Sequence, residues 1–447
     1  MKKPKFQSPT GMHDILPEDE KYFQKIYDIV KEIANFYGFQ KIETPILEES
    51  ELFSRGVGLA TDIVQKEMFS LKTRGGDFLT LRPEGTAPIV RAFIEKGMQN
   101  LPQPVKLWYF GPFFRYERPQ SGRYRQFWQF GLEVLGEKSP VIDVQVIQIF
   151  YNILRELKLT PHHFSSGKST QASPTKSGGG LIIEVNSIGD SACRPYYKKL
   201  LASYFRGQIA GLCQDCRRRI KENPLRILDC KEEKCQIIVS QSPQIMDHLC
   251  EDCHQHFKEV LEFLDECELP YHLNPYLVRG LDYYTRTVFE IYDGDERGRA
   301  LGALAGGGRY DALVKILGGA ETPACGAAGG IERIVSLMKE KAIRFKKEKV
   351  SQIFLAQLGN LAKKKSLKLI ENFRREGILI SESLGRDSLK TQLKIADKIG
   401  VKYTLILGQK EALEGMILIR DMTTGQQETV KLEKIIREIK KKLKIKS

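Results

Sequence analysis

The chain has 447 residues, 41% hydrophobic and 28% charged, the make-up of a folded globular protein too long for one ordinary domain. It holds no apolar run long enough to cross a bilayer, and the basic start MKKPKFQ has no apolar segment behind it. A membrane span and a secretory signal are therefore not expected, and a cytoplasmic protein is. The net charge of +14 sits in one place: residues 341–447 hold 26 Lys+Arg against 12 Asp+Glu, and the rest of the chain holds 44 of each. That asymmetry points to a polyanion partner for the C-terminal end, nucleic acid above all, with a solvated lysine-rich surface as the plainer reading.

In chain order, residues 17–37 have apolar positions at helical spacing behind an acidic first turn, and Gly38 ends the helix. FQKIETPILE reads as a strand with Pro45 near its end, which marks an edge or an interface. Residues 78–96 give a short strand, a turn at RPEGT and a helix from about Ala87. Residues 105–136 read as two antiparallel strands joined by the basic loop PQSGRYR, and 140–158 as a helix. The stretch 165–180 is low-complexity, and LIIEVNSIGD after it is a strand. From 191 to 270 the pattern turns helical and carries most of the cysteines, as an inserted module would. Residues 275–292 and 299–308 return to strand and glycine-rich loop, and a helix starts near Gly329. The end of the chain, 350–447, alternates five strands (QIFLAQLG, ILISES, YTLILG, MILIRD, ETVKL) with three helices (362–375, 388–399, 432–443), a small α/β domain.

Three constellations carry chemistry. In RGLDYYTR, residues 279–286, Arg279 supplies a planar donor fork for an anion, and Tyr283 and Tyr284 supply flat walls and hydroxyls. In a regular strand the two tyrosines would face opposite ways, so only one would enter a pocket unless the strand is irregular. In GPFFRYERPQSGRYRQFWQFGLEVLG, residues 111–136, Arg115 and Glu117 share a face, as do Gln129, Gly131 and Glu133 on the returning strand. The loop between them holds Arg118, Arg123 and Arg125, and Phe127 can stack a base. Such a surface suits a ligand with phosphates at one end; a salt-bridged hairpin is its plainer reading.

These motifs together resemble the histidyl-tRNA synthetases, a family of class II aminoacyl-tRNA synthetases. Residues 111–136 are similar to motif 2 of that class, RGLDYYT to the family's histidine signature and ALAGGGRYD (303–311) to its second signature. TLRPEGT (80–86) resembles the amino-acid loop, ACGAAGGIERI (324–334) motif 3, and the helix and strand ending at Pro45 motif 1, a dimer element. The resemblance implies an α+β catalytic domain over 1–340, an antiparallel sheet flanked by helices with a helical insertion at about 191–270. It also implies an α/β anticodon-binding domain over 350–447, a homodimer, and histidine, ATP with magnesium, and histidine tRNA as substrates. By the same resemblance Arg115 and Arg279 flank the α-phosphate, Arg279 standing where other class II enzymes place a metal ion. Arg123 and Arg333 hold the outer phosphates, Glu117 meets the adenine amino group and Phe127 stacks on the ring. Glu84, Gly85, Thr86 and Gln129 surround the α-amino group. Glu133 and the Tyr283–Tyr284 pair address the imidazole, which offers a donor and an acceptor. Gln120 and Arg125 match positions that face the tRNA acceptor end. Two departures stand out: Ala305 where a further glycine is common, and Ala327-Ala328-Gly329 where relatives carry bulkier side chains.

Two other readings compete. A non-catalytic paralogue of this family, a regulatory subunit of ATP phosphoribosyltransferase, typically lacks the C-terminal domain and degrades these arginines. A sister class II synthetase, such as those for threonine or proline, is argued against by RGLDYYT.

The third constellation is cysteine: Cys213-x2-Cys216, Cys230, Cys235 and Cys250-x2-Cys253. The two Cys-x2-Cys knuckles, Cys213, Cys216, Cys250 and Cys253, suit a structural zinc; free thiols on helices are the alternative. His254 and His256 read as spare ligands or, more simply, surface histidines. Cys193, Cys267 and Cys325 read as buried thiols.

Overall fold

The computed structural model describes residues 5–59, 61–119, 122–159, 180–294, 302–343 and 351–444. Gln120 and the low-complexity stretch 165–179 lie outside the described residues. The chain divides into two compact units, residues 1–343 and 344–447.

The first unit carries strands β1 (Gln40–Lys41), β2 (Leu47–Glu49), β3 (Phe69–Lys72), β4 (Phe78–Leu81), β5 (Val105–Phe114), β6 (Gln126–Leu135), β7 (Leu181–Ser187), β8 (Tyr271–Leu273), β9 (Thr285–Asp293), β10 (Ala305–Arg309) and β11 (Ala324–Gly330). Among the described residues, eight of them form one sheet in the order β1-β5-β6-β11-β10-β9-β7-β8. The interior pairs are all antiparallel, and only the edge pairs β1/β5 and β7/β8 run parallel. Strands β2, β4 and β3 form a small separate sheet.

Helix α1 (Pro17–Phe36) begins with Pro17 and acidic Glu18, Asp19 and Glu20, and it buries Phe23, Ile26, Ile29, Val30 and Ala34 at helical spacing. Gly38 follows it in the left-handed region, at φ +78°. The strand expected over FQKIETPILE is broken: β1 ends at Lys41 and β2 starts at Leu47 in a different sheet. Pro45 lies in the break, where its missing N–H rules out a continuous ladder. Helices α2 (Ser50–Val57), α3 (Thr86–Glu95) and α4 (Pro140–Glu156) follow, α4 burying Phe150, Ile153 and Leu154 along its length.

The module between β7 and β8 consists of α5 (Arg194–Gly207), α6 (Gln214–Glu222), α7 (Glu233–Val239) and α8 (Glu251–Glu266), linked by 3-10 turns. Tyr197, Leu201, Phe205, Ile220, Ile227 and Val239 form its core together with buried Cys216, Cys230 and Cys235.

The stretch read as a glycine-rich loop is strand β10, in the middle of the large sheet. A Cβ on Gly307 would come within 2.1 Å of the Gly326 carbonyl on the neighbouring strand. The glycines there serve close packing of backbones, not a turn. After the short helix α9 (Leu313–Ile316), motif 3 is strand β11 followed by α10 (Ile331–Glu340).

In the second unit, β12 (Ile353–Gln357), β13 (Ile380–Glu382), β14 (Tyr403–Leu407), β15 (Met416–Asp421) and β16 (Gln427–Lys431) pair in the order β13-β12-β14-β15-β16. Helices α11 (Asn360–Arg375), α12 (Leu389–Ile399) and α14 (Ile435–Leu443) match the three expected, and α13 (Gln409–Glu414) is an extra short one. Ile353, Leu355, Leu369, Phe373, Leu405 and Ile439 are in its core.

Candidate active site

Two adjoining clusters occupy the large sheet, one polar and buried, the other cationic and open. The buried cluster is built around Glu84 and Glu133. Glu84 precedes α3, and its carboxylate accepts from the amides of Thr86 (2.7 Å) and Ala87 (2.8 Å), capping the helix. The Tyr283 hydroxyl also donates to it, at 3.3 Å. Glu133, on β6, is 1% exposed. It accepts from the Thr86 hydroxyl at 2.8 Å and from the Tyr310 hydroxyl. Burial drives the Glu133 carboxyl up to about 8, against the pull of the Tyr310 and Thr86 hydroxyls. Burial raises Glu84 too, against its two amide donors.

Glycine makes the room. A Cβ on Gly85 or Gly131 would lie 2.4 or 2.3 Å from the Tyr109 ring, and one on Gly326 would lie 1.7 Å from Glu133 Oε2. Tyr283 and Tyr284 precede β9 rather than lying in it. Freed from strand alternation, both are buried, and their rings stand 4.7 Å apart. Both therefore face this cluster.

The open cluster is a cavity lined by Arg115, Glu117, Arg123, Phe127, Gln129, Arg279, Glu290, Glu332 and Arg333, among others. Arg115 lies just past the end of β5, donates to the Pro83 carbonyl at 2.9 Å and stands 5.3 Å from the Phe127 ring centre. Glu117 takes Arg123 at 3.1 Å and lies 3.9 Å from Arg115. Arg333 reaches the carbonyls of Ala303 (2.8 Å) and Gly122 (3.2 Å). Arg279 is held by Glu290, which also takes the Tyr292 hydroxyl. The Nε of Arg279 is buried with no hydrogen-bond partner among the described residues. A Cβ on Gly306 would meet its guanidinium at 2.6 Å.

Burial, with the nearby charge of Arg123, Arg115 and Arg279, pushes the Arg333 guanidinium down, Glu117 opposing. Four arginines around three carboxylates, Glu117, Glu290 and Glu332, leave an excess of positive charge, which an anion with several oxygens neutralises.

Sequence reasoning missed Glu290, Glu332 and Tyr310 as members of the site. Glu332 accepts from the Trp128 amide at 2.8 Å, and burial raises it to about 7. Tyr310 and Glu332 lie inside quoted motifs, and Glu290 and Tyr292 fall two apart on β9, a spacing that places them on one face. Arg125 stacks on Tyr116 at 3.8 Å and donates to the Glu117 carbonyl.

The zinc set expected from the two knuckles is corrected by the structure. Cys213 and Cys216 gather with Cys230 and Cys235, whereas Cys250 and Cys253 gather with Cys193 and Asp190. The reason is topological: the 3-10 turn and α7 return to the start of α6, while α8 starts against the start of α5. His256 is neither a ligand nor at the surface. It is buried against Asp143 (3.6 Å) and the Thr287 hydroxyl (3.3 Å). Asp143 in turn neutralises the fully buried Arg309, a structural pair.

The model of the histidyl-tRNA synthetase family matches residues 11–170 and 219–334, and an anticodon-binding domain model matches 352–442. The chain belongs to the histidyl-tRNA synthetase family. A histidine--tRNA ligase of Caldicellulosiruptor saccharolyticus is 42% identical over 98% of this chain and 100% of its own length. One of Dehalococcoides mccartyi is 43% identical, again over 98% of this chain and 100% of its own. The crystal structure of the apo histidyl-tRNA synthetase of S. aureus, 34% identical, superposes with a TM-score of 0.75 over 97% of this chain and 100% of that one. Within this synthetase fold, the mixed sheet is the catalytic layer and the second unit the anticodon-binding domain. Among the described residues no helix is long and apolar enough to cross a membrane.

Proposed function

We infer that this chain charges histidine tRNA in two steps. The histidine carboxylate attacks the α-phosphate of ATP, forming histidyl-adenylate and releasing pyrophosphate. A ribose hydroxyl of the tRNA's 3′-terminal adenosine then takes the histidyl group, and AMP leaves. No protein nucleophile is required; positioning and stabilisation of charge at phosphorus do the work.

The observation that carries this reading is the side-by-side placement of the two clusters. Arg115 and Arg279 line one cavity with Arg123 and Arg333, and Tyr284, 5.8 Å from the Arg279 guanidinium, belongs to the buried cluster beside it. Arg115 and Arg279 take the α-phosphate oxygens from two sides, and the unpartnered Nε of Arg279 is a donor in reserve for them. Arg123 and Arg333 take the outer phosphates, whose charge a magnesium ion bound with ATP would help neutralise. Phe127 stacks the adenine, and Glu117 accepts from its amino group. Glu84, Thr86 and Gln129, with Gly85 leaving room, surround the α-amino group, while Glu133 and the tyrosines address the imidazole.

The second unit binds the anticodon region, two copies of the chain form the working dimer, and the reaction belongs to the cytoplasm. Gln120 and Arg125 act on the acceptor end of the tRNA. The test is a charging assay with labelled histidine and bulk tRNA. Acid-precipitable histidine is the expected product. None from a folded protein would contradict the reading and favour a regulatory paralogue.

A further inference from the structure

The segment between Cys216 and Cys230 touches the histidine signature beside Arg194 of α5, which donates to the carbonyls of Tyr284 (2.7 Å) and Asp282 (3.3 Å). Arg226 donates to the Arg279 carbonyl at 3.4 Å and to Asp62 at 2.9 Å. Arg219 donates to the same Asp62 oxygen at 3.1 Å and to the Arg226 carbonyl at 3.3 Å. Asn223 donates to Asp282 at 2.9 Å. Arg226 and Asn223 therefore tie this module to the RGLD loop, Arg219 shares Asp62 with Arg226, and the segment is flanked by cysteines on both sides.

Those cysteines have the geometry of a metal site. Cys213 caps α6 and Cys216 lies in its first turn; Cys230 and Cys235 come back from the turn into α7. All four sulfurs lie within 4.8 Å of one another. Cys213 and Cys230 are 3.9 Å apart, close to the ~3.8 Å edge of a tetrahedron with Zn–S bonds of about 2.3 Å. The amides of Cys213 and Cys216 donate to the sulfurs of Cys235 (3.2 Å) and Cys213 (3.4 Å), placing partial positive charge where thiolates would sit. All four are free thiols, and three of them are buried.

We propose that Cys213, Cys216, Cys230 and Cys235 bind one zinc ion as a tetrathiolate, and that the ion holds the Arg219–Arg226 segment against the Arg279 loop. Zinc enters as the dication and each thiol gives up its proton to solvent, with no change of oxidation state. The ion then fixes both ends of the segment, so Arg226 keeps the Arg279 backbone in place and acts as a positioning residue. The link to Arg279 rests on the reading of Arg279 as an α-phosphate ligand; the metal site does not. The other cluster, with Asp190 already paired to Arg286 at 3.3 Å, takes no part.

The test uses the full chain. Zinc in the purified protein is measured by mass spectrometry for wild type, Cys230→Ser, Cys235→Ser and, as a control, the exposed Cys267→Ser. Loss of one equivalent in the first two variants and none in the control is expected. Should the serine variants fail to fold, the cobalt-substituted wild type decides: intense sulfur-to-cobalt charge transfer with tetrahedral d–d bands is expected. Metal-free wild type without those bands, or zinc unchanged by Cys230→Ser, overturns the site. For the link, zinc is stripped from wild type with a chelator and magnesium restored. A drop of about tenfold in the kcat of pyrophosphate exchange, recovered on adding zinc, is expected from the loss of one positioning hydrogen bond. An unchanged kcat overturns the link alone. Zinc-loaded protein with no exchange at all would instead contradict the synthetase reading.

Discussion

The Tyr310 hydroxyl donates to Glu133 Oε2, joining the second glycine signature to the returning strand of motif 2 across 177 residues of chain. With Thr86 on the other oxygen, Glu133 is fixed in orientation yet held near pH 8 by burial. A histidine imidazole titrates near pH 6.5. Between those values the free site carries a protonated Glu133 and the free ligand a neutral ring, so a complex sharing one proton binds with no net proton change. The KM for histidine should therefore be flat from about pH 6.5 to about pH 8 and rise on either side. Glu133→Gln cannot titrate, and should abolish the alkaline rise while raising KM about 10- to 100-fold. An alkaline limb that survives in the variant would assign it to another group.

Gly326 lies beneath this carboxylate. A methyl group there would sit 1.7 Å from Glu133 Oε2 and 2.7 Å from the Leu132 carbonyl, and the second neighbour is backbone that cannot swing aside. Gly326→Ala should cost about 1–3 kcal/mol in stability by overpacking. It should also lower kcat/KM for histidine more than for ATP. Thermal unfolding together with separate titrations of the two substrates checks both effects.

Among the described residues the Arg279 guanidinium is hydrogen-bonded to Glu290 through a terminal nitrogen, and its Nε has no hydrogen-bond partner. Arg279→Ala should reduce the rate of adenylate formation about 100- to 1,000-fold, the usual scale for loss of a donor to developing charge. The variant should unfold at a temperature close to wild type, because the lost side chain packs little apolar surface. Near-normal adenylate formation in single-turnover experiments would remove Arg279 from its assigned role.

The second unit has its own core of Ile353, Leu355, Phe373 and Leu405, and the chain's excess of +14 lies in residues 341–447. Deleting residues 344–447 should impair tRNA charging far more than adenylate formation. In the intact chain, raising salt should weaken tRNA binding steeply and leave adenylate formation nearly unchanged. Equal losses in both steps would make the unit a structural support for the catalytic sheet.

Much of this architecture was legible in the sequence because the signals were local. The hairpin of residues 105–136, the helix after SP at 139–140 and the five strands of the second unit follow from alternation, caps and turn residues. What escaped was set by contacts far along the chain. GGG at 306–308 looks like a loop until Gly326 and Ala327 are seen against it. Tyr283 and Tyr284 would oppose each other in a strand, yet β9 starts one residue later and both turn inward. The spacing Cys-x2-Cys announces a knuckle but not its partner, and here each knuckle found a different one. Glu290 was silent because a lone glutamate on a strand carries no signal until Arg279 is placed beside it.

The central claim is that the buried Glu84–Glu133–tyrosine cluster and the arginine-lined cavity together activate histidine. Exchange of labelled pyrophosphate into ATP, run with each of the twenty amino acids in turn, tests it most directly. Exchange with histidine and with no other amino acid is the expected result. Exchange with a different amino acid, or with none from a well-folded protein, would contradict it.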